Sequence, residues 1–534
     1  MEELMASCDF LDSALERYYN ACVALELKVY HNFAQADLHG ALLGSLAEKL
    51  TKSAAHKKKL KRCEMTLRRV RNHSSSVVPV NALPPEVLTR IFVMLRSCCF
   101  EGRKSSKLAV PIYPDTLAQV CSRWRRIAIG SSALWSHIDL SPSSDKDISQ
   151  RLLSRAKAFH TRSNELPLDI HVIGSGGDAE SVAKFCTPIA RRIRSLVTFS
   201  PSTESLTPVL NSCFLHCVPG TLNHIAIWGE YDKYSYFWSA SANGYLDSFT
   251  TWTGTDRRRV DELLLGIQVL DLTTNCIPPT SSAYRGLAEL RLMGPGMRLT
   301  ETHFLGILAA SPKLRILHLD IDIGDASQSP SKVQLRELEV LFLSWVEDRE
   351  NLVRLLHPGT QPLKLILEAR NRLSMSRSTA AAFKSLFERS AVTELYIHHV
   401  LGTPGCGEIL FNPFQLLEVM PHIRVLALSG VDIKHLGQRP THKSSISSSV
   451  KSTPSLHTLH LISSPIEWIS FVDLIETYDV QKTTIWDSTL YTEKRTNRMQ
   501  DDQKLIRDIL TDVCPTVQIL GDGFLELAGV RDEK

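Results

Sequence analysis

Residues 168–178, LDIHVIGSGGD, place a glycine-rich turn after a strand, the arrangement in which backbone N–H groups can cradle a phosphate. The stretch has neither G-x-G-x-x-G nor a following Gly-Lys-Ser/Thr, so it reads as a plain turn. CFLHC at 213–217 offers Cys213, His216 and Cys217 to a metal. A fourth ligand is not evident, and the five residues read as part of a buried helix. Asp320, Asp322 and Asp325 alternate past a strand end without the glycine and terminal glutamate of a calcium loop. GTPGCG at 402–407 is a loop by composition. None of these completes a site, so no catalytic residue, no metal site and no cofactor are expected.

What remains are the elements, and their composition bounds them. The chain has 534 residues, 43% apolar and 22% charged, with a formal net charge of +4. That describes a globular protein of several domains or one extended repeat array, and not a polyanion-coating one. The 12 cysteines include no C-x-x-C pair, and the start MEEL is acidic where a secretory leader would be basic. An intracellular, reducing location follows as the expectation, cytoplasmic or nuclear or both. No stretch approaches the roughly 18 apolar residues needed to cross a bilayer, so no membrane partner is expected.

Residues 1–72 form a helical segment with a basic end. Leu4, Cys8, Leu11, Leu15, Tyr18, Cys22, Leu25 and Val29 fall at alternating spacings of four and three on one helical stripe. This predicts a helix packed on its own chain or a coiled coil, with self-association through residues 4–29 as the corresponding partner reading. The basic run Lys57, Lys58, Lys59, Lys61, Arg62, Arg68, Arg69 and Arg71 reads as a solvated helix face. Residues 57–71 have no aromatic side chain on which a base could stack, which disfavours nucleic acid. Residues 73–82 read as a linker.

Two short amphipathic helices follow within 83–140. Pro84 and Pro85 suit a first helical turn and Glu86 opposes the positive end of the macrodipole there. Val87, Leu88, Ile91, Phe92 and Leu95 then share a face. A second helical region starts at Asp115, a good N-cap, and carries Leu117, Val120, Cys121, Trp124, Ile127 and Ala128; Trp135 closes the segment. Some 55 residues with so many apolar positions cannot bury them all, so part of that surface needs a partner or a neighbouring domain.

The ordered series Leu83, Pro84, Glu86, Leu88, Ile91, Phe92, Val120, Cys121, Trp124, Arg125, Leu134 and Trp135 resembles the F-box. Residues 96–112, between the helices, are longer and more polar than the usual link in that family. The resemblance implies a small three-helix domain that binds a Skp-type adaptor and, through it, a cullin. Leu83, Pro84, Glu86, Val87, Leu88, Ile91 and Phe92 would be the adaptor-contacting set, with Val120, Cys121, Trp124 and Trp135 partly core and partly interface. The alternative is a helical cap on the rest of the chain.

Over 160–534 a spacing L-x-x-L-x-L recurs, as in Leu222, Ile225, Ile227; Ile267, Leu270, Leu272; and Leu287, Leu290, Leu292. It continues at Leu314, Leu338, Val392, Ile423 and Leu456, with LKLIL at 363–367 as a further alternation. Most first positions lie 20 to 33 residues apart, close to the period of leucine-rich repeats. One strand plus one helix cannot bury its apolar side alone, and stacking supplies the missing half of the core. Only the unit at 267 has the asparagine, Asn275 followed by Ile277, so the repeats are degenerate. The expected fold class is therefore α+β or α/β: helices, a small F-box, then an irregular solenoid with parallel strands. An ordinary α/β domain is the alternative.

Together the halves resemble F-box and leucine-rich-repeat proteins of the fungal type. By that resemblance the chain is a non-catalytic receptor in an SCF-type ubiquitin ligase, with repeats that bind a protein substrate. The other reading is an adaptor-independent repeat scaffold. The aromatic-rich stretch 228–252 suggests Tyr231, Tyr234, Tyr236, Trp238 and Trp252 as substrate anchors or as filling under an irregular repeat. Residues 441–455, rich in serine, read as a loop between repeats.

Overall fold

A computed structural model describes residues 1–31, 40–74, 76–95, 113–174, 177–200, 206–229, 254–273, 277–324, 332–345, 350–369, 377–399, 417, 420–431, 455–492, 495–498 and 514–520. The chain divides into two compact units, Met1–Leu88 and Thr89–Lys534. The division falls within a helix, and not in the linker expected around 73–82.

The first unit holds two long helices, α1 (Glu2–His31) and α2 (Gly40–His73). Glu2 and Glu3 in the first turn of α1 and Lys28 and His31 in its last turn complement the helix macrodipole. No residue of α1 is buried, and Leu4, Leu11, Leu15, Tyr18 and Leu25 are exposed. The expected stripe thus lies along exposed residues of α1. The basic run lies on α2, where every residue from 57 to 71 is exposed. A helix this polar is supported by pairs one turn apart, such as Glu48 with Lys52 and Glu64 with Arg68, both 2.5 Å.

The second unit is built on a parallel sheet of fourteen strands among the described residues, whose order in the sheet follows their order in the chain. The first seven are β1 (His137–Leu140), β2 (Leu168–Ile173), β3 (Ile193–Ser200), β4 (His224–Gly229), β5 (Val269–Thr273), β6 (Glu289–Thr300) and β7 (Ile316–Gly324). Seven more run from Val340–Trp345 to Thr516–Leu520. Two small sheets stand beside it, one pairing Val333–Leu335 with Leu356–Pro358, the other joining Pro465–Glu467, Thr489–Thr492 and Arg495–Arg498.

Register explains why the recurring spacing matters. Ile138, Ile170, Leu196, Ile225, Leu270, Leu290, Leu317, Leu341, Leu365, Leu395, Leu426 and Leu459 are successive partners across the sheet. Each is 0% exposed. A second row, two residues on, runs from Leu140 and Val172 through Leu272, Leu292 and Leu319 to Leu461 and is equally buried. Because a strand alternates faces, both rows lie on one side. At about 25 cal/mol per Å² of apolar surface, burial of a leucine contributes roughly 1.5–3 kcal/mol, so these rows are the main stabilising feature of the unit.

Among the described residues, three short α-helices precede β1, and further helices lie between strands. α3 is Pro85–Met94, α4 Leu117–Val120, α5 Ser122–Gly130 and α6 Lys146–Arg162. α6 begins where the Asp145 carboxylate accepts from the Asp147 and Ile148 N–H groups at 3.0 and 3.2 Å. It buries Leu152, Ala156 and Phe159 at helical spacing and lies against β1. α7 (Ala179–Ile189) is capped in the same way by Asp178 and buries Val182, Ala183, Cys186 and Ile189.

Three strands, β1 to β3, precede the first repeat legible at Leu222. The sheet therefore begins at His137, inside the stretch expected to be helical domain, and not beyond residue 160. The sequence also places one helix across 115–128, whereas the chain breaks it at Cys121, whose φ of −156° is extended. Thr116, and not Asp115, precedes α4, and it makes no side-chain cap bond.

Candidate partner-binding site

Pro85 and Glu86 open α3 as expected. The helix then divides its apolar residues between two faces. Leu88 and Phe92, one turn apart, are 0% and 1% exposed. Val87 and Ile91, also one turn apart, stand 42% and 38% exposed, with Met94 and Leu95 continuing outward at 66% and 45%. Glu86 and Pro84 are exposed and Leu83 is half-buried. Leu88 and Phe92 were expected to contact an adaptor. Their burial assigns them to the interior, and the available surface is the Val87, Ile91 and Met94 stripe.

The second unit fixes α4 and α5 by contacts of its own. Cys121 caps α5, its Sγ accepting from the Trp124 N–H at 3.4 Å. The half-buried Trp124 ring packs on Phe92 with centroids 4.8 Å apart. Val120 beside them is 60% exposed and Ile129 45% exposed, so α4 and α5 also carry uncovered apolar residues.

Trp135 behaves otherwise. It is 0% exposed, and its indole N–H donates to the Ala128 carbonyl at 2.8 Å. The ring stands edge-on to Phe159 with centroids 4.9 Å apart, and the Arg162 guanidinium lies 4.4 Å over it. Trp135, expected among the adaptor-contacting residues, is instead buried, with contacts to α5 and α6.

Arg155 ties the same region together. Its Nε donates to Asp115 Oδ2 at 2.7 Å, and its Nη2 donates to the Tyr113 carbonyl at 2.5 Å. Nη1 lies 3.6 Å from Asp139 Oδ2, and the guanidinium sits 4.1 Å over the Phe159 ring. The Tyr113 hydroxyl in turn donates to the Phe92 carbonyl. The carboxylate of Asp115, read from the sequence as a helix cap, thus serves as an arginine partner.

The stretches with chemical promise resolve into structure. A Cβ at Gly177 would lie 2.0 Å from the Ser143 carbonyl oxygen, and one at Gly174 2.7 Å from that of Pro142. The glycines let two turns touch, with the Gly177 N–H donating to the Pro142 carbonyl at 2.9 Å. Cys213 and Cys217 are buried. The Cys186 thiol beside Cys213 and then burial push the Cys213 thiol well up, and burial pushes Cys217 to about 12. His216 is exposed, with Nδ1 2.8 Å from the Ser212 carbonyl oxygen. Tyr231, Tyr234, Tyr236, Trp238 and Trp252 lie outside the described residues, as do the link 96–112, Asn275, Asp325, 402–407 and 441–454.

Exposed apolar residues on α3, α4 and α5 are the kind of surface that another protein covers. Residues 80–141 match the F-box-like family. Domains of this kind act in protein–protein interaction, typically by binding Skp-type adaptors. The F-box-like match covers the exposed stripe of α3, all of α4 and α5, and β1. A comparison with curated proteins finds no match. None of the described helices is long and apolar enough to cross a membrane.

Proposed function

We propose that the chain is a substrate-recognition subunit of an SCF-type ubiquitin ligase, with no catalytic role of its own. The F-box-like domain would hold a Skp-type adaptor, and through it a cullin, while a leucine-rich-repeat solenoid from β1 onward receives a protein substrate. Ubiquitin transfer would be carried out by other subunits, and this chain contributes proximity and orientation. The role places it inside the cell.

The observation that carries the reading is the uncovered stripe Val87, Ile91 and Met94 within residues that match the F-box-like family. The unbroken parallel order of the sheet and its two leucine rows support the repeat array. On the opposite face, between the leucine positions, the buried Phe342, Ile366, Tyr396 and Ala427 form a second apolar cluster, with Lys364 Nζ 4.1 Å over the Tyr396 ring and His318 stacked 5.0 Å from Phe342. α1, with its uncovered stripe, would pair with a second copy of the chain.

Co-purification with a Skp-type adaptor tests the attachment. The wild type should form a stable complex, lost in a Leu83→Ala, Pro84→Ala, Ile91→Ala variant whose circular dichroism is unchanged. A well-folded wild type that forms no complex would leave the repeat-scaffold reading in its place.

A further inference from the structure

Three side chains stand together at the first edge of the sheet. His137 and Asp139 are two residues apart on β1 and so project from one face, and Asp139 is in register with His171 on β2. One donor atom from each lies within 4.8 Å of the other two. The His137 and His171 rings meet edge-on with centroids 4.0 Å apart, and His137 Nε2 is 3.3 Å from Asp139 Oδ1.

We propose that His137, Asp139 and His171 bind one divalent transition-metal ion of the zinc class. Two imidazoles and a carboxylate suit zinc and its first-row neighbours, whereas calcium and magnesium take oxygen ligands. Three protein donors leave a position for water. The donors come from neighbouring strands of one sheet, so their backbones are held before any ion arrives. Asp139 and His171 are 6% and 7% exposed, while the His137 side chain at 18% leaves a side for entry.

Two features oppose binding and both can be weighed. Tetrahedral ligands on bonds of about 2.0–2.1 Å sit about 3.4 Å apart, so the three donors must draw together by about an ångström. Imidazole χ2 torsions are broad and allow this. The Arg155 charge repels a cation, but that guanidinium is held by Asp115 and the Tyr113 carbonyl, with Nη1 3.6 Å from Asp139 Oδ2. Oδ1, on the His137 side, is the donor, and the arginine orients the carboxylate from behind. The ion would join β1 to β2 two residues after Trp135, where the anchoring tryptophan enters the sheet.

The test uses untagged full-length chain titrated with Co²⁺, followed by visible absorption and Zn²⁺ competition, and a thermal scan with and without Zn²⁺. The expected result is one equivalent of bound metal, a Zn²⁺-dependent rise in the thermal midpoint, and affinity weakened by at least about tenfold in His137→Gln and in His171→Gln. His137 is the more exposed of the two, so its variant carries the test if His171→Gln does not fold. No stoichiometric binding by a folded wild type, or binding equally strong in the variants, would overturn the proposal.

Discussion

Arg155 and Asp115 form a 2.7 Å ion pair across forty positions of chain, the arginine on α6 and the carboxylate just before α4. Its arginine side is 12% exposed and its aspartate side 34%, so solvent screens it in part. Arg155→Met should destabilise the second unit by about 1.5–3 kcal/mol, because it removes charge-assisted bonds to Asp115 and the Tyr113 carbonyl together. Denaturant unfolding measures this, and a change under about 0.5 kcal/mol would mean the bonds are replaced by water.

Trp135 and Ile91 both belong to the F-box-like match, yet they should fail differently. Trp135→Ala opens a cavity under α6 and strands the Ala128 carbonyl, with an expected cost of about 3–5 kcal/mol. Val87→Asp or Ile91→Asp should change stability by only about 0.5 kcal/mol, since both positions face solvent. Adaptor capture with parallel thermal melts separates the two classes.

Gly177→Ala should lower the thermal midpoint measurably, costing about 1–3 kcal/mol, because the backbone of Ser143 cannot give way as a flexible side chain would. Gly44→Ala is the control. Nothing lies within 4 Å of a Cβ there, and replacing a helical glycine should stabilise α2 by about 0.5–1 kcal/mol.

Two histidines give a pH dependence. Burial, and then Lys482, holds His460 below its ordinary value; burial, and then Arg192, does the same for His160. A histidine depressed in the fold binds fewer protons than in the unfolded chain. Its contribution is therefore present above the unfolded value of about 6.5 and is lost as pH falls below it. Thermal midpoints should decline from pH 7 toward pH 5, and His460→Gln should flatten part of that decline. A slope unchanged by the substitution would assign the effect to other groups.

The stripe on α1 predicts self-association. Leu11→Lys with Leu25→Lys should convert a dimer to a monomer in light scattering without loss of adaptor capture, because those residues are exposed and lie far along the chain from α3.

The repeating leucines were legible because alternation along a strand and stacking across strands both demand apolar residues at fixed intervals. β2 was legible as a strand before the glycine-rich turn, but neither it nor β3 has the repeat spacing. Leu168, Ile170 and Val172 alternate without the wider first interval, and Thr198 holds a leucine position while buried, its hydroxyl donating to the Ala226 carbonyl at 3.4 Å. The ordered series from Leu83 to Trp135 likewise carried the resemblance to the F-box, and residues 80–141 match the F-box-like family. What tertiary structure decided was which side of each element is used. A helical pattern marks Val87, Leu88, Ile91 and Phe92 alike as apolar. Only the packing of Trp124 on Phe92 and of Phe159 on Trp135 separates interior from surface. The same holds for His137, Asp139 and His171, which became neighbours through the register of two strands. Periodicity is a property of one element and can be read along the chain. Juxtaposition depends on how elements pack, and residues far apart in the chain carry no local trace of it.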